Sequence, residues 1–480
     1  MTAALVIAPL ALAAAAFAAP AAVSRALVLA GAVGQVALTA AAWIARPGPA
    51  WGGWIAADDV ALPIVAATAA VFLAAALRHV FAPRAGREHD LPAPAAAGCL
   101  LAMLGAMTLA VLSRHFGLLW IAVEATTLAG APLIYLHRNP RALEATWKYL
   151  LLCSVGVALA LLGVYLLAAA AEAPAAEGGP VALTVEALRQ AGGGLKTPWL
   201  KAAFVFFLVG FGTKMGLAPM HTWLPDAHSE APSAVSALLS GAMLNVAFVA
   251  LLRVHQVCAA AGLGAFSGGL LAGFGLLSVG IAALFLLGAT DYKRMLAYSS
   301  IEHMGLLALG LGAGAAGVAA SLFHAVNHSL TKCALFLAAG RILDATGTKR
   351  IAEARGLSRA MPATSAVWLV GLFAISGAPP FGAFFSELKI FQAVFQVGRW
   401  GMGLAALLLL AAAFAGVARA GLRMTANGSA ADASAPNGRR LSPWADLAPA
   451  IALLAVAALL GLRLPAFLSG AFGAAAGVLP

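Results

Sequence analysis

Apolar stretches long enough to cross ~30 Å of hydrocarbon recur from one end of this chain to the other. That repetition constrains the fold more than any single motif does. Inside hydrocarbon every backbone N–H and C=O must find a partner within the protein, so such stretches form helices. The expected spans are 2–18, 24–45, 60–82, 95–113, 116–137, 146–171 and 199–223, followed by 232–255, 266–288, 295–312, 315–343, 365–396, 401–424 and 445–467. With 62% hydrophobic and 10% charged residues and a mean hydropathy of +0.94, the chain has too little charge to cover a soluble surface. The fold class is therefore all-α integral membrane, with about fourteen transmembrane helices in a single polytopic domain over residues 1–480.

Two segments between the spans stand apart. Residues 180–196 (PVALTVEALRQAGGGLK) suit a short surface helix, and residues 425–443 form a polar, small-residue loop. The N-terminal run imitates a secretory leader, but its first basic residue, Arg25, follows the apolar stretch instead of preceding it. A retained first helix is the expectation.

The net charge of +11 does not imply nucleic acid, because no basic stripe interleaved with aromatics could track a phosphate backbone. Lys and Arg instead concentrate in alternate loops, eighteen in the odd-numbered loops against eight in the even ones and the tail. That bias places the odd loops in the cytoplasm and both termini outside. A multi-pass protein of the bacterial inner (plasma) membrane follows. Cys99, Cys153, Cys258 and Cys333 lie singly in apolar segments with no CxxC, which indicates neither an iron–sulfur cluster nor a structural zinc.

Sorting the charges leaves Glu124, Lys214, Glu302, Lys332, Glu387 and Lys389 inside spans. A charge at the bilayer centre costs at least ~2.5–3.5 kcal/mol, so such residues mark function by default. Lys389 is near a helix end, where snorkelling to the interface is the bland alternative. Glu302, after Ser299 and Ser300, is placed to face a water-filled mouth. Desolvation and a paired opposite charge act in opposite senses on buried ionisable groups, so making and breaking such a pair loads and releases a proton.

Two spans are interrupted beside a charge. Pro219 and Pro225 follow Lys214, and Pro379 and Pro380 precede Glu387. Proline breaks the helical ladder, and broken helices carrying a charge are how many transporters build midplane ion sites. In the eleventh span His324, His328 and Lys332 are spaced four apart and line one helix face. Packed core histidines and a zinc pair are the alternatives to a water-bridged proton relay. The relay reading is preferred, since the glutamate of an HExxH site is missing. P-loop, GxGxxG, haem-attachment and nucleophile-elbow motifs are also missing, so no cofactor or metal and no catalytic site of its own is expected.

The stretch 210–253 (GFGTKMGLAPMHTWLPDAHSEAPSAVSALLSGAMLNVAFVALLR) resembles the signature of the antiporter-like proton-channel subunits of complex I, multisubunit cation/proton antiporters and group 4 membrane-bound hydrogenases. DYKRMLAYSSIEHMG (291–305), FHAVNHSLTKCALF (323–336) and SGAPPFGAFFSEL (376–388) extend the likeness along the chain. HTWLPDAHSEAPS and YSSIEHMG are most similar to component F of the hydrogenase-4 or formate hydrogenlyase type. The resemblance implies two inverted five-helix repeats, residues 95–255 (helices four to eight) and 266–424 (helices nine to thirteen), with helices seven and twelve broken. It also implies Glu124 and Lys214 as the charge pair of the first half, Lys332 as central relay and Glu387 at the exit of the second half.

Asn245 departs from the pattern, because many relatives carry a lysine there. An amide orients water but carries no charge, so Glu302 with His303 are the groups expected to bridge that step. The expected function is a proton-translocating subunit of a redox-driven complex, a group 4 hydrogenase in the first instance. A complex I antiporter-like subunit, or a cation/proton antiporter subunit acting without a redox partner, are the alternatives. Other membrane subunits and a soluble redox arm are the expected partners, with protons as the transported ion and Na⁺ as the alternative.

Overall fold

The computed structural model describes residues 1–81, 91–172, 181–426 and 443–477. The polar loop expected over 425–443 lies almost wholly outside the described residues. Helices occupy every stretch expected to be helical. In the first half they are α1 (Ala4–Ala18), α2 (Ala21–Ala45), α3 (Ala61–Phe81), α4 (Ala93–Leu112), α5 (Phe116–Ile134), α6 (Pro140–Ala170), α7 (Val185–Ala191), α8 (Thr197–Met215), α9 (Trp223–Glu230), α10 (Ser233–Leu238) and α11 (Leu244–Ala260). Then follow α12 (Gly264–Leu287), α13 (Tyr292–Leu311), α14 (Gly314–Thr346), α15 (Leu357–Ala360), α16 (Pro362–Ile375), α17 (Gly382–Gln396), α18 (Trp400–Thr425), α19 (Pro443–Leu462) and α20 (Ala466–Ala476). Among the described residues the only β pairing is a few isolated bridges. Among the described residues eight helices are long and apolar enough to cross a membrane, with Ser233–Ala260 counted as one, or nine if the bent pair α19–α20 forms one span. The chain is a multi-pass membrane protein.

Local chemistry fixes many helix starts. The Asn139 side chain accepts from the Ala142 N–H to start α6, Thr184 accepts from the Ala187 N–H to start α7, and Asp291 accepts from both Lys293 and Arg294 to start α13. The fourteenth expected span, 445–467, ends earlier than its hydrophobicity suggests. Pro465 disfavours helix at the residue before it, and α20 leaves α19 at 73°.

Both breaks expected from the prolines are present. Helix α8 stops at Gly216, whose φ of +81° only glycine adopts without strain. A turn containing Pro219 leads to α9. The freed carbonyl of Thr213 accepts from the Trp223 indole (2.8 Å), and the Ala218 N–H donates to Ser278 Oγ (2.9 Å). The break therefore stays satisfied inside the protein, as hydrocarbon requires. The second break separates α16 from α17 around Pro379 and Pro380.

The segment 233–260 is not one uniform helix. Residues Leu239–Met243 form a π turn between α10 and α11, an irregularity that often marks functional sites. This unit is almost entirely buried and runs alongside α13 and α14, whose long faces are buried too. Outward residues such as Leu408, Leu284 and Tyr165 are among the most exposed large side chains, as suits a lipid-facing surface. Polar side chains collect instead along α11, α13 and α14.

Candidate functional site: a buried line of ionisable groups

The first cluster is built on α5, α6 and α8. Lys214, 1% exposed, is carried by the last turn of α8 just ahead of the break. Its Nζ donates to Thr127 Oγ1 (2.9 Å) and to the Tyr149 hydroxyl (2.8 Å), and lies 4.7 Å above the Tyr149 ring. Thr127 in turn donates to Glu124 Oε2 (3.2 Å), one helical turn away on α5, and Ser154 of α6 donates to Oε1 (2.9 Å). Glu124 and Lys214, expected as a charge pair, thus do not touch. One hydroxyl stands between them, accepting from the ammonium and donating to the carboxylate. Such a group can pass a proton between two charges while holding them apart.

The second cluster lies on α13, α14 and α17. His324, His328 and Lys332 are all fully buried on one face of α14. Lys332 Nζ donates to the Leu296 carbonyl (2.9 Å) and interacts electrostatically with Glu302, which hydrogen-bonds Ser299. His303 Nδ1 is 3.0 Å from His324 Nε2 and 3.9 Å from Glu387 Oε1, and its ring centre is 5.5 Å from that of His328. His324 Nδ1 meets Ser386 Oγ at 2.9 Å. Glu302 and Glu387 line one small cavity of about 30 Å³ with Ser299 and Ser376, which suffices for ordered water.

Asn245 sits just after the π turn. Its Nδ2 donates to Ser329 Oγ (2.7 Å) and to the Ala325 carbonyl (3.2 Å), so the amide fastens α11 to α14. A further tie between helices lies nearby. Ser240 of the π turn pairs with Ser300 of α13 (2.8 Å), and the Leu296 carbonyl accepts from both Ser300 and Lys332. Glu302 and His303, expected at the bridging step, both lie near Glu387, and Glu302 also interacts with Lys332.

Several partners escaped sequence reasoning. Thr127, Tyr149 and Ser154 look like ordinary helix residues until the helices meet. His228 is fully buried, stacks on Phe336 at 4.9 Å, and has two ring nitrogens without a protein partner. The ring of His328 shares that condition, and buried nitrogens of this kind are normally satisfied by water. Lys293, by sequence a loop charge, is only 1% exposed. Its Nζ donates to the Ala231 (2.6 Å) and Ser229 (3.4 Å) carbonyls, where the C-terminal end of α9 attracts a cation. Lys389, by contrast, is exposed, in keeping with the snorkelling alternative.

Two broken helices, each carrying an ionisable side chain beside its break, are the arrangement from which many transporters build ion sites. The family description "NADH:quinone oxidoreductase/Mrp antiporter, TM" matches residues 113–414, and the chain belongs to that family. It is 41% identical over 295 residues to a hydrogenase-4 component F homolog of Methylacidiphilum infernorum, an alignment covering 61% of this chain and 62% of that relative. The chain thus spans about three fifths of that curated relative. It is 30% identical over 355 residues to NADH-quinone oxidoreductase subunit N of Desulforudis audaxviator, covering 73% and 68% of the two chains. A chain in the structure of respiratory complex I from Thermus thermophilus superposes with a TM-score of 0.77 at 28% identity, covering 96% of this chain and 97% of that one.

Proposed function

We propose that this chain is the proton-translocating membrane subunit of a redox-driven complex of the group 4 membrane-bound hydrogenase kind. The reading includes fourteen membrane crossings, two inverted repeats over 95–255 and 266–424, and both termini outside, in a bacterial inner membrane. Other membrane subunits and a soluble redox arm complete the machine.

The observation that carries this reading is the hydroxyl bridge from Glu124 through Thr127 to Lys214. A buried lysine held by neutral hydroxyls, with its carboxylate one step away, is poised to exchange a proton when the distance changes. A packing role gives no reason to bury three charged side chains, Lys214, Lys332 and Glu302. From the first cluster the route continues past Ser240 and Ser300 to Lys332, with water carrying the proton at both ends of that serine pair, then by His328, His303 and His324 to Glu387, with water at the unpartnered nitrogens.

Lys214→Ala and Glu124→Ala are expected to abolish coupled proton movement in inverted membrane vesicles while the protein still assembles. Normal translocation in both variants would remove the mechanism. Purification of the native complex tests membership: nickel and iron–sulfur subunits are expected with the chain, whereas ion exchange by the chain alone in liposomes would instead favour an independent cation/proton antiporter.

A further inference from the structure

We propose that His303, His324 and Glu387 form a binding site for a divalent first-row transition-metal ion, Zn²⁺ being the species that their donor set suits best. The three come from three helices, α13, α14 and α17, and offer one ligand atom each, all within 4.8 Å of one another. Two of the three spacings, 3.0 Å for His303 Nδ1 to His324 Nε2 and 3.9 Å for His303 Nδ1 to Glu387 Oε1, bracket the separation a tetrahedral ion imposes, and the third is within 4.8 Å. Zn²⁺ bonds of ~2.0–2.1 Å set neighbouring ligand atoms ~3.3 Å apart. Two imidazoles and one carboxylate with a fourth position left open is a recurring zinc donor set.

The surroundings support the ligands as a metal site would need. His324 has its other ring nitrogen on Ser386 Oγ (2.9 Å), and His303 hydrogen-bonds the Ile375 carbonyl. Outer partners of this sort fix the orientation of metal-bound histidines. Glu387 lies against Gly377, where any side chain would collide with the carboxylate and where φ is +69°. The cavity beside Glu387 is lined by a second carboxylate, Glu302, so a cation is attracted into it and has room to arrive. His328 lies outside the set, although it is spaced from His324 as a zinc pair on one helix would be.

An ion here takes the imidazole lone pairs that a relay through His303 and His324 would use, so metal occupancy and proton passage exclude one another; that consequence rests on the function proposed above. The metal assignment is tested without it. Co²⁺ is titrated into the purified full-length chain in nanodiscs, and the visible d–d spectrum is recorded, with Zn²⁺ then added as competitor. The intense bands of low-coordinate Co²⁺ are expected, and Zn²⁺ should remove them. Glu387→Gln, nearly isosteric, and His324→Gln are each expected to weaken binding by about tenfold or more, while His328→Gln retains it. Thermal unfolding of each variant shows that it is folded. Weak octahedral spectra only, or equal affinity in Glu387→Gln and wild type, would overturn the site. Because the readout is a spectrum, this failure is separable from any failure of proton transport.

Discussion

Thr127 is the residue on which the first cluster turns. Its hydroxyl accepts from Lys214 and donates to Glu124, so it sets both the separation and the communication of the two charges. The charges themselves were legible in the sequence, because a Glu and a Lys inside apolar spans have no bland explanation. The threonine was not legible, since a mid-helix Thr commonly just bonds its own preceding turn. Thr127→Val keeps the shape and removes the bridge. Proton translocation in vesicles is expected to fall by about a hundredfold, the scale of a lost positioned proton donor, with normal amounts of assembled protein. Activity within about twofold of wild type would mean that water passes the proton around Thr127, since a lost donor on the path costs far more. Lys389 supplies the contrast. It is exposed on α17, so Lys389→Gln should leave translocation nearly unchanged in the same assay, and a strong loss would put it on the pathway.

At the scale of elements, the broken helices were legible because proline announces its own effect on a backbone. The ties between helices were not, and Arg253 shows why. It stands near the end of an apolar run and reads as an interface charge, yet it is 2% exposed and meets Asp58 in an ion pair at 2.9 Å and a hydrogen bond at 3.1 Å. Asp58 also accepts from the Ala61 N–H (2.9 Å) to start α3, so one carboxylate joins α3 to α11. Burial pushes the Asp58 pKa up, but the charge and hydrogen bond of Arg253, the Ala61 N–H and Arg114 outweigh it and hold the pKa below the ordinary carboxylate value. A depressed folded-state pKa contributes stability above the unfolded value of ~3.9 and loses it as pH falls through the folded value. Asp58→Asn is therefore expected to cost about 1–3 kcal/mol at neutral pH, less than a fully buried pair because Asp58 is 25% exposed. Thermal unfolding in detergent should show the deficit shrinking as the pH is lowered below the carboxylate range. A deficit independent of pH would assign the loss to packing.

Over the whole molecule, the question is how the two clusters communicate across the buried α10–π–α11 unit. The sequence exposed the gap, because Asn245 carries no charge where a relay would want one. It did not reveal the serine contact beside that gap, because a π turn leaves no mark in hydrophobic periodicity and serines are common in membrane helices for packing alone. In the folded chain Ser240 meets Ser300, and the Leu296 carbonyl receives both Ser300 and Lys332. Asn245, bonded to Ser329 and Ala325, holds the π turn against α14 without itself joining this line. If protons cross here, Ser240→Ala and Ser300→Ala each interrupt one and the same step. The two single variants should then lose translocation to a similar degree, and the double variant should lose no more than either, since residues of one network are not additive. Losses that multiply in the double variant would show each serine acting alone, and the passage between halves would then run through water beside His328 and His228, whose ring nitrogens have no protein partner.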